Sequence, residues 1–443
     1  MKARSALLVI VLTAPLFACG NAALQAAQQG DDAKLKAEIQ TRHAKGKLSN
    51  DDAARLARAV AEREISHAKD EKTALARLRD SRACALELDD ALEERMKTRD
   101  GAGAEAALTR LEDGKLSERT ARDWLDDADD RWRAVGTRTL HRDEDRAKRQ
   151  AAIVSPNAQI RRSAIRAAGD AKDAADIDLL FETARVDPEL MLRNEALRSI
   201  SSILRSKEDW AKPKAADLAV RLRDLWTAGD DAIKEDVAVA WGLTPVYENG
   251  GREALRVFIA EGKGPGAIAA AGVVTRMSQR DKDKDKGPDA DLVASANALL
   301  ARTIEGASRR DRLHALAVAK LDGPILEATR KAAKDEDREV KIPALARLAE
   351  TKSDATAARN ELVEIASGGD VRARHALASV GDLRVQAWIE QDLAASEPHR
   401  KTQAASALAA LGRPARAAPL LVDPDPSVRT RAACTMMIAI RTR

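Results

Sequence analysis

Aromatic side chains are scarce in this 443-residue sequence: one Tyr, three Phe and six Trp amount to 2% of it, although 44% of the residues are apolar. A core built on large rings is excluded, and alanine and leucine must fill it. Alanine loses no side-chain entropy in a helix, so the composition predicts an all-α chain with closely spaced backbones. Cysteine is nearly absent too, with only Cys19, Cys84 and Cys434. That number excludes a disulfide framework or a paired-cysteine zinc site. Cys84 and Cys434 stand near opposite ends, and in an elongated array they are expected to stay apart as buried small apolar residues. There is no excess of one charge either: 75 Lys and Arg face 71 Asp and Glu, with both signs mixed throughout. This excludes the concentrated basic field that nucleic acid requires.

What the sequence does have is a repeat. Val428-Arg429 is followed by Ala432-Ala433, Val340-Lys341 by Ala344-Leu345, Leu192-Arg193 by Ala196-Leu197, and Ile160-Arg161 by Ala164-Ile165. Weaker copies start at Trp132, Ile233, Gly266, Asp311, Val371 and Arg400, at intervals from 28 residues (Trp132 to Ile160) to 45 (Gly266 to Asp311). A branched apolar residue, a basic one, then small residues four and five positions on make one packed helix face. Turns such as Asp423-Pro424-Asp425-Pro426 precede these helices. Proline is tolerated in a first helical turn and Asp caps the amides exposed there. Self-similarity at this period predicts an α-solenoid of stacked helix pairs over residues 116–443. Residues 35–115 are helical without the motif and are expected to form a capping region.

The Val-Arg-x-x-Ala-Ala core, with an Asp six positions before the basic residue, resembles the HEAT repeat in its short, bilin-lyase-like form. The matching pairs are Asp127 and Arg133, Asp187 and Arg193, Asp335 and Lys341, and Asp423 and Arg429. The resemblance implies a hydrogen-bonded ladder of Asp and basic residues between neighbouring repeats, and a concave face lined by the second helices. Copies starting at Gly266, Asp311, Val371 and Arg400 lack the Asp, so the ladder is expected to be interrupted there. On the concave face, Arg162, Arg166, Arg198, Arg374 and Arg431 are expected to point outward as a partner-binding strip, with Asn194 and Glu195 among them. Such a strip suits carboxylates or phosphates.

The N-terminus places Lys2 and Arg4 before a short apolar run that ends in Leu16-Phe17-Ala18-Cys19. The run is too short to span a bilayer, and it has the layout of a cleaved secretory signal over residues 1–18. Leu16-Phe17-Ala18-Cys19 resembles the bacterial lipobox, which implies an acylated Cys19 and a tether over residues 19–34. Loss of Lys2 and Arg4 takes the formal charge from +4 to +2. Gly20, where an Asp marks inner-membrane retention, implies the outer membrane, facing the periplasm.

Chemistry beyond binding finds little support. Asp281, Asp283, Asp285 and Asp289 alternate like calcium ligands, but Lys282, Lys284 and Lys286 interleave them and Leu292 stands where a bidentate Glu is needed. No histidine is followed by Glu, and no phosphate loop or nucleophile elbow appears. The expected protein has no cofactor, no metal and no catalytic residue. It is a membrane-tethered, protein-binding scaffold of the cell envelope. The alternative is a HEAT-like lyase or other enzyme with a pocket around Trp226, Trp241 and Tyr247. If Cys19 carries the anchor, a Cys19→Ser variant moves from the membrane fraction to the aqueous fraction of a cell extract with its circular dichroism unchanged; continued membrane retention would exclude that anchor.

Overall fold

The computed structural model describes residues 18–205, 211–280 and 290–442. The leader before Ala18 and the loop carrying Asp281, Asp283, Asp285 and Asp289 lie outside the described residues. Within them the chain is all-α: short helices packed on one another, with no strand. It divides into two compact units. One joins the residues up to Ala91 with Glu390–Arg443, and the other is Leu92–Ile389. The last repeats belong with the N-terminal helices in the first of these.

The larger unit shows how a poor stock of aromatics still makes a core. Ala158–Ala171 packs on Leu190–Leu204, which packs on Asp231–Trp241, which packs on Gly264–Arg280. Each helix meets its neighbours in sequence, the arrangement in which stability accumulates along a stack. Small residues set the spacing. A Cβ added at Gly169 would stand 2.9 Å from Ser199 Oγ. The same approach lets Ser199 Oγ donate to Ile165 O at 2.8 Å and Ser202 Oγ to Gly169 O at 2.9 Å. Side chains thus reach the backbone of the adjacent helix directly. The few rings cluster where they occur: Trp226 lies 4.5 Å from Phe258 and 5.2 Å from Trp241, and Trp241 stacks on Phe258 at 5.3 Å. Trp241 is fully buried and donates to Ala219 O at 3.3 Å. Trp226 and Trp241, named with Tyr247 for the alternative pocket, thus pack on Phe258 and on one another.

In the smaller unit the residues expected as a tether are helical from Ala18: Ala18–Gln29 and Asp32–Ala44 are α-helices. Ala23, Ala26 and Ala27 are fully buried, and the first of these helices packs against Asn50–Ser66. The last helix, Pro426–Arg441, lies on Asn50–Ser66, on Glu71–Ser81 and on the 3-10 stretch Arg82–Leu88. Its apolar face, Val428, Ala432, Ala433 and Met436, is buried there. The expectation that Cys84 and Cys434 stay apart is corrected: they form a disulfide with Cα atoms 5.3 Å apart across 350 residues of sequence. The physical reason is that the apolar face of Pro426–Arg441 needs a covering neighbour, and the helices of residues 50–88 supply it, which brings Cys84 and Cys434 into one core.

Charged contacts surround the bridge. Asp80 accepts from Ser427 Oγ at 2.6 Å and from Arg431 Nε at 2.8 Å, and Arg441 reaches Glu87 at 3.0 Å. A cross-link closing so long a loop stabilises by about 2–5 kcal/mol. Reductant should therefore lower the thermal unfolding midpoint of the native chain, and Cys434→Ala should lower it to the same degree and abolish the response to reductant. Equal midpoints with and without reductant would contradict this role.

Candidate functional site

The repeat turns are the most regular polar feature of the chain. In the smaller unit, Asp423 Oδ1 accepts from Asp425 N at 2.9 Å, and Asp425 Oδ1 in turn accepts from Ser427 N at 2.8 Å. Each aspartate thereby satisfies an amide that the helix start leaves open. Arg429, six residues after Asp423, donates to the carbonyl of Asp423 at 2.6 Å and to that of Pro424 at 3.3 Å. The other carboxylate oxygen of Asp423 accepts from Lys401 Nζ at 2.7 Å, one repeat back.

The larger unit repeats the scheme. Asp127 accepts from Asp129 N and from Arg99, while Arg133 donates to Asp127 O at 2.6 Å. Asp187 accepts from Glu189 N and from both Arg161 Nε at 2.8 Å and Nη2 at 3.1 Å. Asp335 accepts from Asp337 N and from Arg312 Nη2 at 2.6 Å. The pairs read from the sequence are thus split: each carboxylate takes the preceding repeat's base, and the base six positions on binds turn carbonyls or a different acid. Arg193 donates to Ala184 O at 3.0 Å, and Lys341 pairs with Glu361 at 2.6 Å. The expected interruptions are partial, because Arg312 and Lys401 belong to copies without the Asp and still supply rungs. In the smaller unit Arg429 makes one more rung, to Glu64 at 2.8 Å.

A knot that sequence reasoning missed lies inside the larger unit. Arg149 is fully buried, and donates to Asp176 at 2.6 Å, to Leu140 O at 3.0 Å, to Arg142 O at 3.1 Å and to Asp173 at 3.1 Å. Arg146 reaches Asp173 at 2.5 Å. Two Arg-to-Asp pairs at the same offset of 27 residues were the available signal.

The five arginines expected to point outward do not form a free strip. Arg166 reaches Glu195 at 2.5 Å and Glu112 at 2.6 Å, Arg162 lies 3.9 Å from Glu195, and Arg198 lies 3.6 Å from Asp236. In the smaller unit, Arg431 pairs with Asp80. Arg374 is corrected: it is 5% exposed and donates to Ala366 O and Trp388 O. Its position three residues past the repeat start faces the helix packing, where the guanidinium satisfies open carbonyls.

Arg138 continues this seam, 2.6 Å from Asp170 and 3.8 Å from Glu112. Beside it opens a cleft of about 390 Å³ lined by Leu111, Glu112, Leu116, Glu118, Arg138 and His141 among others. His141 Nε2 is 3.3 Å from Glu118. The hydroxyl of Thr139 is committed to Gly136 O at 2.7 Å. The cleft therefore offers closely paired charges and two leucines, which suits exchange of internal ion pairs for pairs with a ligand. Among the described residues no group of three or more His, Cys, Asp or Glu is arranged to hold a metal ion, and no helix is long and apolar enough to cross a membrane.

The fold and its turns define an all-α protein of stacked helix pairs. No protein-family model and no curated protein matches the chain. Among solved structures, the crystal structure of an engineered protein aligns over 96% of this chain and 99% of its own, at 14% identity and a TM-score of 0.26.

Two predictions follow from the turn chemistry. Removing one partner of a fully buried ion pair costs about 3–5 kcal/mol, so Arg149→Ala should strongly destabilise the larger unit, while Arg162→Ala, half exposed, should change the denaturation midpoint little. The second concerns acid. Hydrogen bonds from Arg131 hold Asp129 at about 2, and hydrogen bonds from Arg330 hold Asp354 at about 2, both below the ordinary 3.8. A hydrogen bond from Arg312 lowers Asp335 in the same sense. With folded values depressed, their contribution is present above 3.8 and is lost as pH falls towards 2. Burial raises Asp236, whose contribution runs oppositely and fades as pH rises above 3.8. The net expectation is a thermal midpoint that drops between pH 4 and pH 2; a flat midpoint there would rule out these carboxylates as determinants.

Proposed function

We propose that the protein is an exported, lipid-anchored scaffold of HEAT-like repeats that binds another protein along the second-helix seam of its larger unit. The observation that carries the binding reading is the cleft beside Arg138, where Glu112, Glu118, Asp170, Arg138 and His141 stand at ion-pair distances around Leu111 and Leu116. Paired charges at a rim confer specificity and orientation more than affinity, while apolar residues between them supply contact area. The Asp-to-base rungs between successive repeats support the HEAT resemblance. The Cys84–Cys434 bridge supports export, since stable disulfides belong to oxidising compartments such as the periplasm. Binding, with no bond-making step, is the proposed mechanism, and the envelope is its proposed place.

The test uses a photo-activated phenylalanine analogue placed at Leu116 in the cleft and, as control, at Glu182 on an exposed helix face of the same unit. Irradiated cells should give a discrete cross-linked species from position 116 alone, and it should disappear when Arg138→Glu reverses the charge. Cross-links equal at both positions, or indifferent to Arg138→Glu, would refute a partner seated in the cleft.

A further inference from the structure

Nearly every arginine described above has a carboxylate or carbonyl partner within the chain, and Arg413, in a cleft whose lining has no carboxylate, breaks that rule. In the smaller unit, the helix Asp32–Ala44 packs on the 3-10 stretch Pro414–Val422. Between them lies a cleft of about 160 Å³ lined by His43, Gly46, Leu48, Asn50, Arg413, Ala415 and Arg416. The lining carries two guanidiniums, an imidazole and an amide, and no carboxylate. The clefts beside Arg138 and beside Arg63 each include at least two acidic side chains, Glu118 and Asp170 in one and Glu64 and Asp70 in the other.

The basic groups here are held in place, and Arg413 among them is left without a counter-charge. Asn50 fastens the turn that carries Arg413: its amide donates to Gly412 O at 3.5 Å, and its oxygen accepts from Ala415 N at 3.2 Å. Gly412 makes that turn possible with φ 72°, a left-handed conformation that side chains disfavour. Arg413 is exposed and its guanidinium makes no hydrogen bond or ion pair within the described residues. Arg416 forms a long ion pair with Glu390, 3.8 Å away and outside the cleft lining, which is weaker than a hydrogen-bonded pair. His43 Nε2 also lacks a hydrogen-bond partner. Lys45 and Lys47, both exposed, flank Gly46 at the rim. A solvated charge run would need no shaped cleft and no fastened turn.

We propose that this cleft is a binding site for a phosphoryl group. Two forked guanidiniums match its oxygens geometrically and balance up to two negative charges, more than a carboxylate carries, and the volume admits one such group. A phospholipid headgroup and free phosphate share this chemistry. The headgroup source rests on the anchoring reading, because an acylated Cys19 would hold the neighbouring helices close to a lipid surface, where one chain plus a basic patch makes a stable anchor.

The experiment uses the full chain with Cys19→Ser, so that acylation contributes nothing, alongside the same chain carrying Arg413→Gln and Arg416→Gln. Calorimetric titration with inorganic phosphate and co-sedimentation with vesicles of phosphatidylglycerol in phosphatidylcholine, against pure phosphatidylcholine, are the two arms. Saturable binding in either arm, weakened about tenfold or more by the double substitution as charge-assisted contacts are lost, supports the site. Binding to anionic vesicles identifies the headgroup as a source; heat with phosphate alone identifies the free anion. Circular dichroism and the response of the thermal midpoint to reductant confirm that the double variant is folded. Absence of binding in both arms, or binding that the folded double variant keeps, overturns the proposal. Anchoring itself is read separately, from fractionation of the acylated chain.

Discussion

The carboxylate at the head of a repeat helix answers two needs at once, and the stack depends on it. One oxygen closes the turn by accepting an amide two residues on, and the other takes a cation from the repeat before, as in Asp423 with Asp425 N and Lys401. Asp187, whose side chain is 5% exposed, also serves both an amide two residues on and the Arg161 guanidinium, with Oδ1 shared between them. A buried carboxylate without both kinds of partner would be strongly destabilising. Successive helix pairs are therefore fixed in register by a local cap and a neighbour contact that cannot be satisfied separately.

That polar device suits a core of alanine. Each methyl side chain buries little area, and alanine faces slide past one another with few shape constraints, so hydrophobic burial alone would specify register weakly. Close approach compensates in part: at Gly169 and Ser199 the helices come near enough for hydroxyls to reach carbonyls. The buried Arg149 knot adds direction, because its donors find acceptors on several segments at once. Most surface arginines are drawn into the same internal pairing. Against that background the unpaired Arg413 is informative, and so is the cleft beside Arg138, where pairs are present but open to exchange.

The apolar face of the repeat helix Pro426–Arg441 is covered from far earlier in the chain. Asn50–Ser66 and the helices after it do this, Glu64 takes a rung from Arg429, and Cys84–Cys434 makes the contact covalent.

The sequence by itself determined the helical class, the repeat and the chemistry of each turn, because capping, the 3.6-residue period and the Asp-to-base spacing are local properties. Asp127, Asp187, Asp335 and Asp423 were legible as turn residues for that reason, and so was the fact that a base would meet each of them. Which base it would be was not legible: Arg161 rather than Arg193 serves Asp187, since the partner comes from the neighbouring helix pair. The tertiary structure alone decided the meeting of Cys84 with Cys434, the burial of Arg374 and the convergence of His43 with Arg413 and Arg416. The first and last of those depend on how helices hundreds of residues apart pack together, and the burial of Arg374 on how neighbouring helices close over it, geometry that no short-range pattern in the chain encodes.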